Sequence, residues 1–184
     1  MLYFVRHGAT NWNDNLNSQG ERDPKCQGRA DIELNERGIA QAESLAEQFK
    51  DKHFARVFCS PLKRARQTCE IICQGKNKIE FEQRIIERDF GEFEGLTASQ
   101  FDNEGFWDLN GPQKFSKAES LKELEKRVFD FLDELKNIKG DILVVAHAGV
   151  GAIIKTYFCG VPKDGNYMSI IVPNGEPMAF DFLD

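Results

Sequence analysis

The chain has 184 residues, of which 41% are hydrophobic and 29% are charged, and its formal net charge is −6 with a pI near 5.2. This length suits one α/β domain with a buried core, so we expect a single domain over 1–184. The net negative charge argues against a general nucleic-acid binder, which needs an electropositive face, and the apolar runs are too short to span a membrane. We therefore expect neither nucleic acid nor a membrane as a partner.

The first residues, MLYFVRHG, lack the basic segment of a secretory signal, which favours a cytoplasmic protein. The five cysteines are odd in number and are spaced neither as a disulfide framework nor as CxxC metal pairs. Cys69 and Cys73 lie four residues apart on a predicted helix, a spacing that suits two small buried hydrophobic residues. No metal site is predicted.

Short apolar runs alternate with segments whose apolar residues recur at three- and four-residue steps, the patterns of buried strands and amphipathic helices. The predicted elements are, in chain order, a strand at 2–5, a helix at 36–50, a strand at 56–59, a helix over 60–73 ended by Gly75, a helix at 119–137, a strand at 141–146, a helix from Ala152 closed by Gly160, and a strand pair at 168–172 and 178–182. This alternation predicts a three-layer α/β/α fold with a mostly parallel central sheet.

Several residues suit the ends of these elements. Asn35 is the predicted N-cap of the first helix, and Ser60 and Pro61 suit the N-cap and first position of the second. Asn174 and Gly175 form the predicted turn of the last strand pair.

The segment from about 91 to about 117 fits the pattern least well, because it is polar and contains glycine yet carries several aromatic residues. These are Phe93, Phe101, Phe106, Trp107 and Phe115. Such a segment predicts a lid or irregular insert, and a small satellite core is compatible with that interpretation.

Chemically versatile residues follow three of the predicted strands. They are Arg6, His7 and Gly8 after the first strand, Ser60 and Arg64 after the second, and His147 and Ala148 after the one at 141–146. Ligands of open parallel sheets bind at the carboxyl ends of the strands. Arg64 lies in a first helical turn, where the positive dipole end disfavours a cation unless an anion is near. His53, in KDKHFA, is predicted to be a surface or packing residue.

Six motifs occur in a characteristic order. They are RHGATNWN (6–13), QGRADIELNERGIAQA (27–42), SPLKRARQT (60–68), ERDFGEFEG (87–95), AES (118–120) and VVAHAGV (144–150). Together they resemble the histidine phosphatase superfamily, including its cofactor-dependent phosphoglycerate mutase branch. The resemblance runs over essentially the whole chain and implies a phosphoglycerate mutase-like fold.

The resemblance implies that His7 is the nucleophile that takes the phosphoryl group. For this role the imidazole must be neutral, with one nitrogen free to attack and the other donating its proton to the backbone. Arg6 and Arg64 would disfavour the imidazolium form and neutralise the phosphoryl oxygens. Gly8 would let the backbone turn sharply away from the phosphate.

By the same resemblance, His147 binds the phosphoryl oxygens and stabilises the transition state. The backbone amide of Ala148 would add a donor at the start of the following helix, and Asn13 is a further phosphate contact. Since arginines and histidines can neutralise the phosphate, the resemblance implies neither metal nor cofactor.

Glu87 matches the family glutamate that protonates the leaving alcohol and then activates water. Asp89 is the second candidate for this general acid. A purely structural alternative for Glu87 is a salt bridge to Arg64 or Arg88.

Two departures from the family pattern stand out. The connection at 14–26 is longer than usual, and its Arg22 and Lys25 either reach the substrate or are simply solvated. Ala152 occupies the position, five residues after the second histidine, where many members carry arginine.

Three functions are compatible with these residues. The first is hydrolysis of a small phosphomonoester, the second a phosphoglycerate mutase-type transfer, and the third a non-catalytic phospho-ligand-binding module. A mutase uses a longer insert with paired arginines, whereas 96–111 has none, which favours hydrolysis. An apolar or aromatic part of the substrate would stack on Phe106 or Trp107. The oligomeric state stays open.

Overall fold

The structure is a computed structural model in which residues 1–111, 115 and 117–182 are described. The strands are β1 (Leu2–Arg6), β2 (Phe54–Cys59), β3 (Ile79–Phe81), β4 (Asp141–Ala146) and β5 (Pro177–Phe180). The helices are α1 (Glu36–Gln48), α2 (Lys63–Cys73), α3 (Asn103–Phe106), α4 (Leu121–Leu135) and α5 (Ala148–Cys159). Residues 112–114 and 116 of the predicted insert, and 183–184 of the predicted domain, lie outside the described residues.

The five strands form one sheet in the order β3-β2-β4-β1-β5, in which only β5 runs antiparallel to its neighbour. The central strand β4 is apolar on both faces, and Ile142 to Ala146 are almost completely buried. Val145 lies opposite Val5 on one side and Cys59 on the other, so the carboxyl ends of β1, β2 and β4 meet at one edge. The predicted mostly parallel α/β fold is confirmed.

Two apolar cores cover the two faces of the sheet. On one face α1 and α2 contribute residues such as Leu45 and Ile72, and on the other α4 and α5 contribute residues such as Phe131 and Ile153. Each fully buried side chain of this kind stabilises the fold by roughly 1.5–3 kcal/mol relative to an exposed one. The three layers therefore hold the edge of the sheet in place from both sides.

The helix starts follow the predicted caps in one case and not in another. The Asn35 side chain accepts the backbone N–H of Gly38 at 2.9 Å, which confirms Asn35 as the N-cap of α1. The prediction of Ser60 as the N-cap of the second helix, with Pro61 in its first position, is wrong. Helix α2 begins at Lys63 after Leu62, because the Ser60 hydroxyl is engaged elsewhere, as described below.

The predicted strand pair near the chain end is also wrong. Residues 168–172 do not pair with β5; instead Tyr167–Ile170 form a 3₁₀ turn, and β5 pairs with β1. Tyr167 anchors this turn, because its ring is fully buried and its hydroxyl donates to Glu125 at 3.0 Å. Strand β3, which is short and partly exposed, is an element the sequence pattern did not predict.

Two irregular parts of the chain, residues 14–28 and 91–111, pair with each other and are called the cover below. Lys25 and Thr97 form an antiparallel bridge, and the Cys26 N–H donates to the Leu96 carbonyl at 2.8 Å. Phe106 and Trp107 belong to the same buried cluster as α4 and α5, so the aromatic residues are not a separate satellite core. Among the helices of the described residues, none has both the length and the apolar character that crossing a bilayer requires.

Candidate active site

His7 lies directly after β1 and is 2% exposed. Its Nδ1–H donates to the Gly8 carbonyl at 2.7 Å, which leaves the lone pair of Nε2 available. Burial, followed by the nearby charges of Arg64 and Arg6, holds the pKa of His7 well below 6.5. A neutral imidazole with an unprotonated Nε2 is the form that can attack phosphorus.

Gly8 itself does not have the left-handed backbone that a sharp turn would need. A Cβ at Gly8 would instead come within 2.3 Å of the Gly38 carbonyl oxygen, because the start of α1 packs directly on this loop. Close backbone packing is therefore one reason for glycine here, and the sharp turn away from the phosphate stays a prediction.

Arg64 is buried in the first turn of α2 and is held at all three guanidinium nitrogens. Nη1 and Nη2 each donate to a backbone carbonyl at 2.7 Å, those of Ala30 and Gly28, and Nε donates to His7 Nε2 at 3.1 Å. Burial lowers the pKa of Arg64 to about 10, so the group remains charged at neutral pH. The charge therefore stands beside the nucleophile in a fixed orientation.

Arg6 is the second cation of the site. Its Nη1 donates to the Val172 carbonyl at 2.8 Å, while its Nε is buried without a partner. Burial lowers the pKa of Arg6 to about 10, again leaving it charged. A half-buried cation whose buried Nε donor is unused is typical of a site that receives an anion.

His147 lies after β4 and is completely buried. Its Nε2 lies 2.6 Å from the Ser60 hydroxyl, its Nδ1 has no partner, and its ring centroid is 5.2 Å from that of His7. Burial and the charge of Arg64 hold its pKa well below 6.5. Ala148 is the first residue of α5, where the backbone N–H has no acceptor within the helix.

Glu87 is 5% exposed, and both of its carboxylate oxygens accept backbone N–H groups. Oε1 accepts from Arg88 at 2.8 Å, and Oε2 accepts from Gly149 in the first turn of α5 at 3.1 Å. Among the described residues Glu87 makes no ion pair, so the alternative of a salt bridge to Arg64 or Arg88 is wrong. A Cβ at Gly149 would come within 2.6 Å of Oε1, so a side chain there would displace the Glu87 carboxylate.

The neighbours of Glu87 point away from the reacting groups. Arg88 stacks its guanidinium 3.6 Å above the centroid of the buried Phe106 ring, so Phe106 is not available to a substrate. Of the two predicted stacking partners, Phe106 is wrong and Trp107 stays a prediction. Asp89 accepts the Gly91 N–H at 2.8 Å and pairs with Arg29 at 3.3 Å. Glu87 is thus the better placed of the two carboxyl groups.

Asn13 is oriented by its own turn. Its Oδ1 accepts from the backbone N–H and the hydroxyl of Thr10, each at 3.2 Å, which leaves the Nδ2 donors for the cavity. Asn174 adds a long contact to the same oxygen and donates to the His7 carbonyl at 2.9 Å. Sequence reasoning placed Asn174 only in a turn, because nothing local links it to residue 7.

These side chains surround a cavity of about 170 Å³ under the cover. Six of the predicted residues line it, namely Arg6, His7, Asn13, Arg64, Glu87 and Ala148. Gly8 and His147 are not among its lining residues. Lys25 and Trp107 also line the cavity, whereas Arg22 contacts the Asn13 carbonyl at 3.4 Å.

The profile of the histidine phosphatase superfamily (branch 1) matches residues 2–181. The chain belongs to this superfamily. Its members include phosphatases and phosphoglycerate mutases, and the predicted family is confirmed.

Two relatives and one solved structure illustrate the range of the superfamily. The uncharacterized phosphatase PhoE of Bacillus subtilis is 32% identical over 165 residues, covering 87% of this chain and 78% of that protein. A 2,3-bisphosphoglycerate-dependent phosphoglycerate mutase of Haemophilus influenzae is 26% identical over 225 residues, covering 100% and 95%. The crystal structure of the alpha-ribazole phosphatase from Shigella flexneri superposes with a TM-score of 0.76 at 26% identity, covering 96% and 87%.

Within this histidine phosphatase three buried side-chain atoms of the described residues lack a hydrogen-bond partner, namely Arg6 Nε, Gln27 Oε1 and His147 Nδ1. All three belong to residues of the site, and a bound phosphate ester would reach Arg6 Nε as an acceptor. Gln27 was missed by sequence reasoning, although it begins one of the motifs that identified the family.

Ala152, at the position where many superfamily members carry arginine, is completely buried in the apolar core of α5. Arg127 of α4 supports the site from another direction, since it donates to the Glu87 carbonyl at 3.1 Å and pairs with Glu119 at 2.6 Å.

Within the described residues, no cluster of three or more His, Cys, Asp or Glu side chains is arranged to hold a metal ion.

A larger groove, of about 630 Å³, adjoins the cavity and shares Asn103 and Met168 with it. Its ionisable lining residues are all acidic, namely Asp102, Glu104, Asp108 and Asp164. An acidic wall repels a phosphate, so the smaller cavity is the candidate active site.

Proposed function

We propose that this histidine phosphatase hydrolyses small phosphomonoesters without a metal ion and that His7 carries the phosphoryl group. The observation that supports this most directly is the Nδ1–H bond of His7 to the Gly8 carbonyl, which leaves Nε2 as a nucleophile beside the buried Arg64 and the half-buried Arg6. The superfamily match supports the same chemistry.

In the first step the His7 Nε2 lone pair attacks phosphorus and the bond from phosphorus to the ester oxygen breaks. Glu87, protonated in the complex with the phosphate dianion, gives its proton to the departing oxygen. Arg6 and Arg64 neutralise the charge of the transferring group, and His147 and the Ala148 N–H contribute further donors. The products of this step are an alcohol and phospho-His7.

In the second step water attacks the phosphorus of phospho-His7 and the bond from phosphorus to Nε2 breaks. The Glu87 carboxylate takes the proton from water, which restores the acid for the next cycle. Inorganic phosphate leaves, and His7 regains its lone pair.

The test is phosphate release from a panel of phosphoglycerates, sugar phosphates, nucleotides and phosphoamino acids, with His7→Ala beside wild type. His53→Ala serves as the matched control, because it removes the exposed third histidine. We expect release by wild type and His53→Ala with a chelator present, no release by His7→Ala, and an acid-labile phosphoenzyme in a rapid quench. Equal release by His7→Ala, or loss of activity with the chelator, would contradict the proposal.

Phosphoglycerate mutase activity is the second candidate, because relatives with that name match the whole chain. The alignment with the Haemophilus influenzae mutase runs over 225 positions whereas the chain has 184 residues, so the mutase carries segments without a counterpart here. Exclusion of water from a phosphohistidine needs such additional cover. Isomerised 3-phosphoglycerate, without release of phosphate, would favour the mutase.

A further inference from the structure

Ser60 and His147 form a contact that the proposed mechanism leaves without a task. The Ser60 hydroxyl lies 2.6 Å from His147 Nε2, and both residues are completely buried. Their strands, β2 and β4, are neighbours, and the Ser60 N–H donates to the Val145 carbonyl at 3.0 Å. The sheet therefore fixes the distance between the two side chains.

The hydrogen bonds around Ser60 indicate which group donates. The Leu62 N–H approaches the Ser60 oxygen at 3.5 Å as a donor, which leaves the hydroxyl proton in need of an acceptor. Among the described residues, His147 Nε2 is the acceptor within reach of that proton. Donation to Nε2 satisfies this buried hydroxyl, and it places the single proton of the neutral ring on Nδ1.

The position of this proton has a chemical consequence. If Nε2 carried the proton, Nδ1 would present a lone pair, which repels phosphoryl oxygens. With Nε2 occupied by Ser60, Nδ1 presents an N–H group instead. That atom is buried and has no partner, and its ring lies 5.2 Å from the nucleophile His7.

We propose that Ser60 is a positioning residue, whose hydroxyl holds His147 in the Nδ1–H tautomer so that this ring donates to the transferring phosphoryl group. This inference rests on the proposed function, in which His147 stabilises the phosphoryl oxygens. No bond to Ser60 forms or breaks in the reaction. Ser60 acts only through the ring of His147.

The first measurement is a long-range proton–nitrogen NMR spectrum of the nitrogen-15-labelled wild-type protein, which reports the tautomer of each imidazole. The chain has three histidines, so assignment needs only single-site variants. We expect His147 and His7 both as Nδ1–H tautomers. An Nε2–H tautomer of His147 in the wild type would overturn the proposal, whether or not any ester is hydrolysed.

The second measurement compares the kinetics of Ser60→Ala, Ser60→Thr and Thr156→Val. Thr156 is the matched control, since its buried hydroxyl donates to the Ala152 carbonyl at 3.0 Å within α5. We expect kcat of Ser60→Ala to fall by about 10- to 100-fold with little change in KM, below the ~10²–10³ of a lost oxyanion donor. Ser60→Thr, which keeps the hydroxyl, should restore most of kcat, and Thr156→Val should stay near wild type.

The same NMR spectrum is recorded for Ser60→Ala, where we expect His147 to shift towards the Nε2–H form. Retention of the Nδ1–H form together with a kcat within twofold of wild type would overturn the proposal. If wild type releases no phosphate, the proposed function fails, while the tautomer in the two spectra still decides the role of Ser60.

Discussion

The carboxyl edge of the sheet and the cover above it hold their side chains in different ways. At the edge, His7, Arg64 and His147 are at most 2% exposed, and each is fixed by hydrogen bonds to neighbouring elements. In the cover, Lys25 is only half-buried. Met168, which lies outside the cover on the opposite wall of the cavity, is 42% exposed. The edge therefore holds its side chains in fixed orientations that suit catalysis. The cover presents more exposed side chains, which can be substituted without disturbing the core.

If this division is correct, substitutions at the edge should lower kcat, and substitutions in the cover should change KM and substrate preference. Three kinetic predictions test it, each paired with a control from the chain itself, and a fourth prediction, on stability, tests the burial of the two histidines at the edge.

Glu87→Gln should have the largest effect, because it removes the proposed proton donor while keeping the backbone N–H contacts to one oxygen. We expect kcat to fall by about 10²–10⁴ for alkyl phosphates and by much less for aryl phosphates, whose leaving groups need no proton. Steady-state kinetics on both ester types measures this, with the exposed Glu92→Gln as control. An equal loss on both esters would mean that Glu87 is not the acid.

Arg64→Lys should follow in size, since lysine cannot hold the Gly28 and Ala30 carbonyls and also face His7. We expect a fall in kcat of about 10²–10³, comparable to the loss of an oxyanion donor. Arg66→Lys, whose side chain is 49% exposed on the same helix, is the control. Similar kinetics for the two variants would contradict the prediction that substitutions at the edge lower kcat more than substitutions at the surface.

The buried histidines predict a pH-dependent stability. His7 and His147 stay neutral in the folded protein because burial and arginines hold their pKa values well below 6.5, whereas the unfolded chain binds protons near that pH. The free energy of unfolding should therefore decrease as pH falls below about 6.5, by up to about 1.4 kcal/mol per pH unit for each histidine.

Denaturant unfolding between about pH 7.5 and about pH 5.5 measures this dependence. His7→Ala should remove about half of the slope, because one of the two buried imidazoles is gone. A slope that is unchanged in this variant would show that other groups cause it.

Lys25→Met should have the smallest effect. Lys25 lines the cavity and, within the described part of the chain, makes no ion pair, so it is available to a carboxylate on the substrate. We expect KM to rise up to about fivefold for esters that carry a carboxylate, with kcat unchanged. Lys63→Met is the control. A large fall in kcat for Lys25→Met would show that a residue of the cover takes part in catalysis.

The edge of the sheet could be predicted from the sequence because its information is local. Each apolar run that becomes β1, β2 or β4 is followed at once by the polar residues of the site, and parallel pairing brings those ends together. The N-cap of α1 at Asn35 is local in the same sense. These predictions needed no knowledge of distant contacts.

The remaining features depend on contacts between distant residues. Ser60 was predicted to be a helix cap, which is its local preference, but a partner 87 residues away takes its hydroxyl. Residues 168–172 are as apolar as a strand, yet they do not add to the open edge of β5, because burial of Tyr167 fixes a turn instead. Asn174 was missed for the same reason, because its partner His7 lies 167 residues earlier.

The position of β1 in the sheet also determines when the site is completed during synthesis. Strand β1 is translated first but lies between β4 and β5, which belong to the last part of the chain. A nascent chain that ends before Asp141 has His7 without either neighbouring strand, and it leaves the apolar residues of β1 unpaired. Formation of the nucleophile site therefore waits for the final strands to leave the ribosome, and during that interval β1 is the segment that a chaperone or another unpaired strand would bind.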